Sequence, residues 1–152
     1  MLRIVQDDLS GPEIAALLSE HVQSMRDISP VDSVHTLSLE ALRSPQITLW
    51  TAWLGTDLIA CGALKELDER SGEIKSMRTA SAHRGRGYAS EILQHIIAVA
   101  RERQYRELYL ETGSSPEFEP AHALYRKAGF DYCGPFADYK EDPFSRFMVQ
   151  SL

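Results

Sequence analysis

Hydrophobic and polar positions along this chain follow two periods, and the switches between them mark its elements. Leu2 to Gln6 reads as a short strand, after which Ser10, Gly11 and Pro12 signal a helix start. Over Glu13 to Met25, Ile14, Leu17, Leu18 and Val22 recur at helical spacing, so one face of that helix is predicted to be buried. Ser29 to His35 contains Pro30 and turn formers and reads as a loop, and a short helix over Leu39 to Arg43 ends before Pro45. Ile47 to Leu54 and Leu58 to Leu67 are rich in strand formers, with Gly55, Thr56 and Asp57 as the hairpin turn between them. Asp68 to Gly72 is a second polar turn leading into the strand Glu73 to Thr79, so three antiparallel strands follow one another.

The period then changes. From near Gly87, Ala89, Ile92, Leu93, Ile96, Ile97 and Ala100 fall on one helical face. Glu107 to Thr112 is the next strand, and the intervening helix makes it a parallel neighbour of Glu73 to Thr79 through a right-handed crossover. Pro120 suits the first turn of another helix, which runs to Lys127 and closes at Gly129. Asp131 to Gly134 and Arg146 to Ser151 are the last two strands, with the turn-rich Ala137 to Pro143 between them.

The junction between the strand Glu73 to Thr79 and the helix after it carries the candidate chemistry. Arg84, Gly85, Arg86, Gly87, Tyr88 and Ala89 combine small residues, which let backbone approach a ligand, with a helix start whose N–H groups and partial positive charge suit an anion. Arg84 and Arg86 add full charges, and a pyrophosphate is the expected guest. A P-loop would need Lys followed by Ser or Thr after its second glycine, and none is present. A dinucleotide fingerprint comes closer, with Gly85, Gly87 and Glu107, but Ser90 occupies its third small position and repeated βαβ units are lacking.

Composition narrows the class. At 152 residues, with 43% hydrophobic and 25% charged residues, the chain is expected to form one soluble domain over 1–152. No stretch approaches a membrane span, and Asp7 and Asp8 stand where a signal peptide would be apolar, so the expected compartment is cytoplasmic with no membrane partner. A net charge of −6 argues against nonspecific nucleic-acid binding. Cys61 and Cys133 form no CxxC pair and no ligand-like spacing with His, so both read as buried, reduced thiols and no metal is expected.

The spacing Arg84, two residues, Gly87, one residue, Ala89 resembles the acetyl-CoA pyrophosphate motif of the GNAT acetyltransferases, and Ala121, Tyr125, Gly129 and Phe130 resemble that family's Ala-x-x-x-Tyr plus Gly-Phe ending. The order of elements is similar to the GNAT fold over essentially the whole chain. The resemblance implies an α/β (α+β) acyl-CoA N-acyltransferase fold: a mixed central sheet of about seven strands, flanked by helices, with two parallel strands splayed around the cofactor. It also implies acetyl-CoA as co-substrate, an amine as acceptor and compatibility with a homodimer. Implied cofactor contacts are Met77, Arg78 and Thr79 on the splayed strand, Arg84, Gly85, Arg86, Gly87, Tyr88, Ala89 and Ser90 at the turn, and Tyr125. Phe118 stands about where many relatives have an Asn, which removes one side-chain bond to the pantetheine arm from the expectation. His21, Ser29, Pro30, Ser33 and His35, with Phe136, Ala137, Asp138 and Tyr139, further resemble a small bacterial YsnE-like branch.

Acetyl transfer needs an uncharged amine. For a lysine-like amine with a pKa of about 10.4, deprotonation at neutral pH costs about 4 to 5 kcal/mol, which a general base can supply. Glu73, eleven positions before Arg84, is the first candidate, and its placement resembles the glutamate of the histone-acetyltransferase branch; Glu111 on the neighbouring strand is the second. The ordinary alternative for Glu73 is a solvated residue after a turn. Tyr125 is the candidate acid for the departing thiolate, against a packed core tyrosine. His21, Arg26, His35, Arg78 and Tyr139 fall on segments that frame the acceptor side in this fold, where Arg26 or Arg78 could grip a carboxylate. The expected activity is direct acetyl transfer to a small-molecule amine. A protein N-terminal or lysine acetyltransferase and an idle acyl-CoA sensor are the alternatives.

Overall fold

The computed structural model describes residues 1–30 and 38–152. The strands are β1 (Arg3–Asp7), β2 (Ile47–Leu54), β3 (Asp57–Asp68), β4 (Ser71–Thr79), β5 (Glu107–Gly113), β6 (Asp131–Cys133) and β7 (Ser145–Ser151). The helices are α1 (Pro12–Ile28), α2 (Tyr88–Glu102) and α3 (Glu119–Lys127). All strands join one seven-stranded sheet in the order β1-β2-β3-β4-β5-β7-β6. Every neighbouring pair is antiparallel except β4 and β5, which are parallel. Short turns join β2, β3 and β4 in series, whereas the α2 crossover leaves β4 and β5 pointing the same way.

Two apolar clusters cover the two faces of the sheet. One joins α2 residues Ile92, Leu93, Ile96 and Ile97 to Leu64, Ile74, Leu108 and Leu110, and the other joins Ile14, Leu17 and Leu18 of α1 to Leu49, Cys61 and Ala63. Strand β3 is buried on both faces from Ile59 to Leu64, which accounts for its continuous apolar run.

Several predicted boundaries move. α1 begins at Pro12, whose missing N–H costs nothing in a first turn, and it runs to Ile28 instead of stopping at Met25. The predicted helix at Leu39 is a short 3-10 turn, Ala41–Arg43. Gly87 caps α2 from outside, in the left-handed conformation. Cys61 is buried as expected, but Cys133 is only half-buried because β6 is a three-residue edge strand.

The feature that shapes the site is a break in β4. Its register with β3 pairs Cys61 with Arg78 and Ala63 with Lys75, so Ser76 and Met77 together oppose Gly62. Ser76 has φ of 55°, a left-handed value that a bulge permits and a regular strand does not. Parallel pairing with β5 covers only Ser71–Ile74 and Glu107–Leu110. Beyond Ile74 the two strands part, β5 continuing against β7 and β4 against β3.

Candidate active site

The parted strands enclose a cleft of about 180 Å³. One wall is Glu73, Ile74, Lys75, Ser76 and Met77 from β4, and the opposite wall is Glu111, Thr112 and Gly113 from β5. His21, Met25 and Ser29, spaced four residues apart on and just beyond α1, close one side; Tyr125 of α3 with Phe118, and Phe144 with Ser145, close others. A side chain on Gly113 would collide with the Phe118 ring, its Cβ falling 2.1 Å from that ring, so only glycine lets β5 end against this aromatic.

At the mouth of α2, Gly85 and Gly87 have φ of 77° and 83°, and both face open space. Their backbone is left-handed, where glycine is at no disadvantage. No side chain caps the helix, so the first-turn N–H groups, at Tyr88, Ala89 and Ser90, have no side-chain acceptor. Arg84 and Arg86 flank the turn and are exposed.

Glu73 is not the solvated residue that a polar turn suggests: it is 2% exposed. Its Oε2 accepts a hydrogen bond from the Tyr139 hydroxyl at 2.6 Å and an ion pair from Lys75 Nζ at 3.1 Å. Lys75 also donates to the Tyr139 oxygen at 2.8 Å. A buried carboxylate needs such compensation, because desolvating an unpaired charge is expensive. Glu111 lies across the cleft, where Ser145 Oγ donates to its Oε2 at 2.9 Å.

Tyr125 is 7% exposed, with its ring edge-on to Phe130 at 5.9 Å. Burial pushes its phenol up to about 12, so it stays protonated and able to donate. His21 is driven the other way, down to about 4, first by burial and then by the Arg78 charge, so its imidazole is neutral at neutral pH. Its Nδ1 has no hydrogen-bond partner among the described residues.

Other predicted residues lie elsewhere. Arg78 turns to α1, donating to Glu20 Oε1 at 2.8 Å, an oxygen that also accepts from Ser81 Oγ at 2.6 Å. Its guanidinium is therefore engaged, and neither Arg78 nor Thr79 lines the cleft. Arg26 is exposed and outside the lining, and His35 lies outside the described residues. Tyr139 sits behind Glu73, not in the cleft lining. Cys61 donates from Sγ to the Ser76 carbonyl at 3.2 Å, and burial pushes its thiol up to about 12. Neither cysteine lines the cleft.

Sequence reasoning missed Lys75, although two-residue spacing puts it on the same strand face as Glu73. It also missed His122, whose Nε2 donates to the Gly113 carbonyl at 2.7 Å while Nδ1 accepts from the Tyr132 hydroxyl at 3.1 Å. That bond ties α3, one turn before Tyr125, to the splayed end of β5. No local pattern announces it, since the partners come from three separate elements. Among the described residues, no His, Cys, Asp or Glu group could hold a metal ion, and no helix is long and apolar enough to cross a membrane.

A strand pair parted beside an uncapped, glycine-flanked helix start is the frame in which these residues sit, and the sequence pattern described as the acetyltransferase (GNAT) family matches residues 14–130. The chain belongs to the GNAT family. It is similar to the uncharacterized N-acetyltransferase YsnE of Bacillus subtilis (strain 168), at 55% identity over 151 residues, 99% of this chain and 100% of that one. It is 47% identical to the uncharacterized N-acetyltransferase YedL of Escherichia coli (strain K12), over 100% of this chain and 96% of the other. A Bacillus subtilis acetyltransferase solved in complex with CoA superposes with a TM-score of 0.71 at 17% identity, over 100% of this chain and 99% of that one, and so shares the fold. The GNAT fold and an acyltransferase activity follow from these relationships.

Proposed function

We propose that this GNAT enzyme moves the acetyl group of acetyl-CoA directly to the amine of a small molecule. The observation that carries the reading is the cleft in the β4–β5 split, which presents a buried carboxylate, Glu73, and a buried phenol, Tyr125, to one small space. The residues fit the coenzyme. The turn at Arg84, Gly85, Arg86 and Gly87, with the N–H groups of Tyr88, Ala89 and Ser90, suits its diphosphate. Met77 and the parted edge of β4 offer unpaired backbone to its amide arm as an added strand would.

Bound acetyl-CoA supplies the acetyl group and leaves as CoA. Glu73 takes the proton of the acceptor ammonium, with Glu111 as the second candidate, and Tyr125 holds a proton where the thiolate departs. Backbone N–H groups near Met77 are the candidate donors to developing negative charge on oxygen. A protonated, buried Cys61 is unsuited to carry an acyl group, which favours direct transfer in a ternary complex.

A volume of about 180 Å³, walled by α1 on one side and the chain around Phe144 on another, suits the end of a pantetheine arm with a small amine. A second reading has its own observation. Behind Glu73, a further cleft is lined by Glu73, Asp138, Glu141 and Asp142 against Lys65 and Lys140, an excess of acid that would favour a cationic acceptor such as a protein lysine.

The test is CoA release from acetyl-CoA with L-methionine, tryptamine, spermidine and a lysine-containing peptide, in the parent, Glu73→Gln and Tyr125→Phe. Turnover with a free amine and loss in both variants is expected. Peptide turnover alone would transfer the assignment to a protein acetyltransferase, and acetyl-CoA binding without release from any amine would make the chain a sensor.

A further inference from the structure

A base that is 2% exposed must still lose its proton to water before the next turnover, and so little of Glu73 meets solvent that a neighbouring hydroxyl can assist. Its wall is shared. Among the described residues Glu73 alone lines both the 180 Å³ cleft and a second one of about 430 Å³, formed with Lys65 and residues Ala137 to Asp142. Beside the carboxylate, Tyr139 is half-buried, lines the second cleft as well and donates to Glu73 Oε2 at 2.6 Å. Its ring centroid lies 5.0 Å from that of Phe136 and 5.6 Å from that of Phe147, which holds the hydroxyl beside Glu73.

We propose that Tyr139 is the proton exit of this site, carrying to water in the second cleft the proton that Glu73 takes from the acceptor. The inference rests on Glu73 as the base. In the first step the acceptor's N–H bond breaks as an O–H bond forms on Glu73. In the second, Glu73 gives that proton to the Tyr139 oxygen while Tyr139 gives its own hydroxyl proton to a water molecule, so Glu73 ends as carboxylate, Tyr139 as phenol and the proton as hydronium. No electrons are transferred between groups.

The surroundings suit a relay through an intact hydroxyl. Burial, then the Glu73 charge, raises the Tyr139 phenol far above its ordinary range, so it passes protons without resting as phenolate. The groups facing the pair are Lys75 on the same strand, Lys65 opposite Glu73 on β3, and Glu111, whose charge also bears on Tyr139. Lys75 bonds both partners and holds their oxygens at relay distance through the cycle. Tyr139 thus acts through Glu73 and not on the substrate.

The experiment measures kcat against imidazole concentration at fixed pH and ionic strength, with the most active amine of the four above. For Tyr139→Phe, which keeps the ring packing, kcat at low buffer is expected to fall about tenfold and to recover as imidazole rises, because a diffusing base replaces the hydroxyl. The parent stays independent of imidazole, and the KM for acetyl-CoA is unchanged in both. Tyr139→His, which restores a proton carrier in place, is expected to exceed the Phe variant at low buffer. Parent-like rates in Tyr139→Phe at low buffer, or a loss that imidazole does not restore, would overturn the exit route while leaving Glu73 as base. Parent-like rates in Glu73→Gln would instead remove the base and the exit together, and no release from any amine would remove the proposed function itself.

Discussion

The two ends of the candidate site, the turn before α2 and the cleft around Glu73, are built in opposite ways. The turn at the start of α2 is a consecutive run of residues, exposed, positively charged and made largely of backbone. The Glu73 end is a buried set of side chains, in which a strand residue meets Tyr139 from 66 positions later. Backbone N–H groups and left-handed glycines are fixed by local conformation, so an anion cradle needs only a short stretch of chain. A buried carboxylate needs partners from several directions, because water no longer compensates it. On the proposed function, the first end holds the cosubstrate reversibly and the second moves a proton.

This contrast predicts that changes at the buried end act on the chemical step and changes at the turn act on binding. Glu73→Gln is expected to have the largest effect, lowering kcat by about a hundredfold or more, near 3 kcal/mol, with acetyl-CoA affinity within about twofold of the parent. Steady-state kinetics beside calorimetry checks this. A matching loss of affinity would erase the division between the ends.

Close behind comes an acid-stability signature of the buried end. His21 has its folded-state pKa lowered to about 4 from 6.5, so as pH falls the unfolded chain binds the proton first. Stability present above about pH 6.5 is therefore lost between about 6.5 and 4, by up to about 3 kcal/mol. Urea titrations across that range are expected to show a shallower slope for His21→Gln. An unchanged pH slope would mean that the imidazole does not carry this dependence.

At the turn, Gly87→Glu sets a carboxylate against a bound diphosphate and forces a side chain into the left-handed region, where φ is 83°. A loss of acetyl-CoA affinity of about tenfold or more, at least about 1.4 kcal/mol, is expected by calorimetry with the fold intact by circular dichroism. The smallest effect belongs to Arg86→Ala. An exposed charge is screened by salt, so affinity is expected to fall about threefold at low ionic strength and to match the parent near 0.5 M salt.

Much of this architecture was legible before any coordinates. Helical periodicity in α1 and α2, the turn residues between β2, β3 and β4, and Pro and Gly at the ends of α3 are local signals, and each element formed where its pattern lay. The turn at Arg84 to Ala89 was legible for the same reason. The Glu73 end was only partly so: the sequence offered Glu73 as candidate base against a solvated residue after the polar turn, and its burial against Lys75 and Tyr139 removes the solvated alternative. Arg78 illustrates the converse. Its charge suggested a ligand grip, but Glu20, 58 positions away, engages its guanidinium.

By itself the sequence determined what depends on neighbours along the chain: the two hydrophobic periods, the parallel pairing imposed by a helical crossover, and the glycine-flanked helix start that offers N–H groups to an anion. Only the tertiary structure decided where β4 leaves β5, that β7 inserts between β5 and β6, and which charges end buried together. Conformational preference and hydrogen-bond geometry act over a few residues. Desolvation and charge compensation act through space, and are set by whatever the completed fold brings within reach.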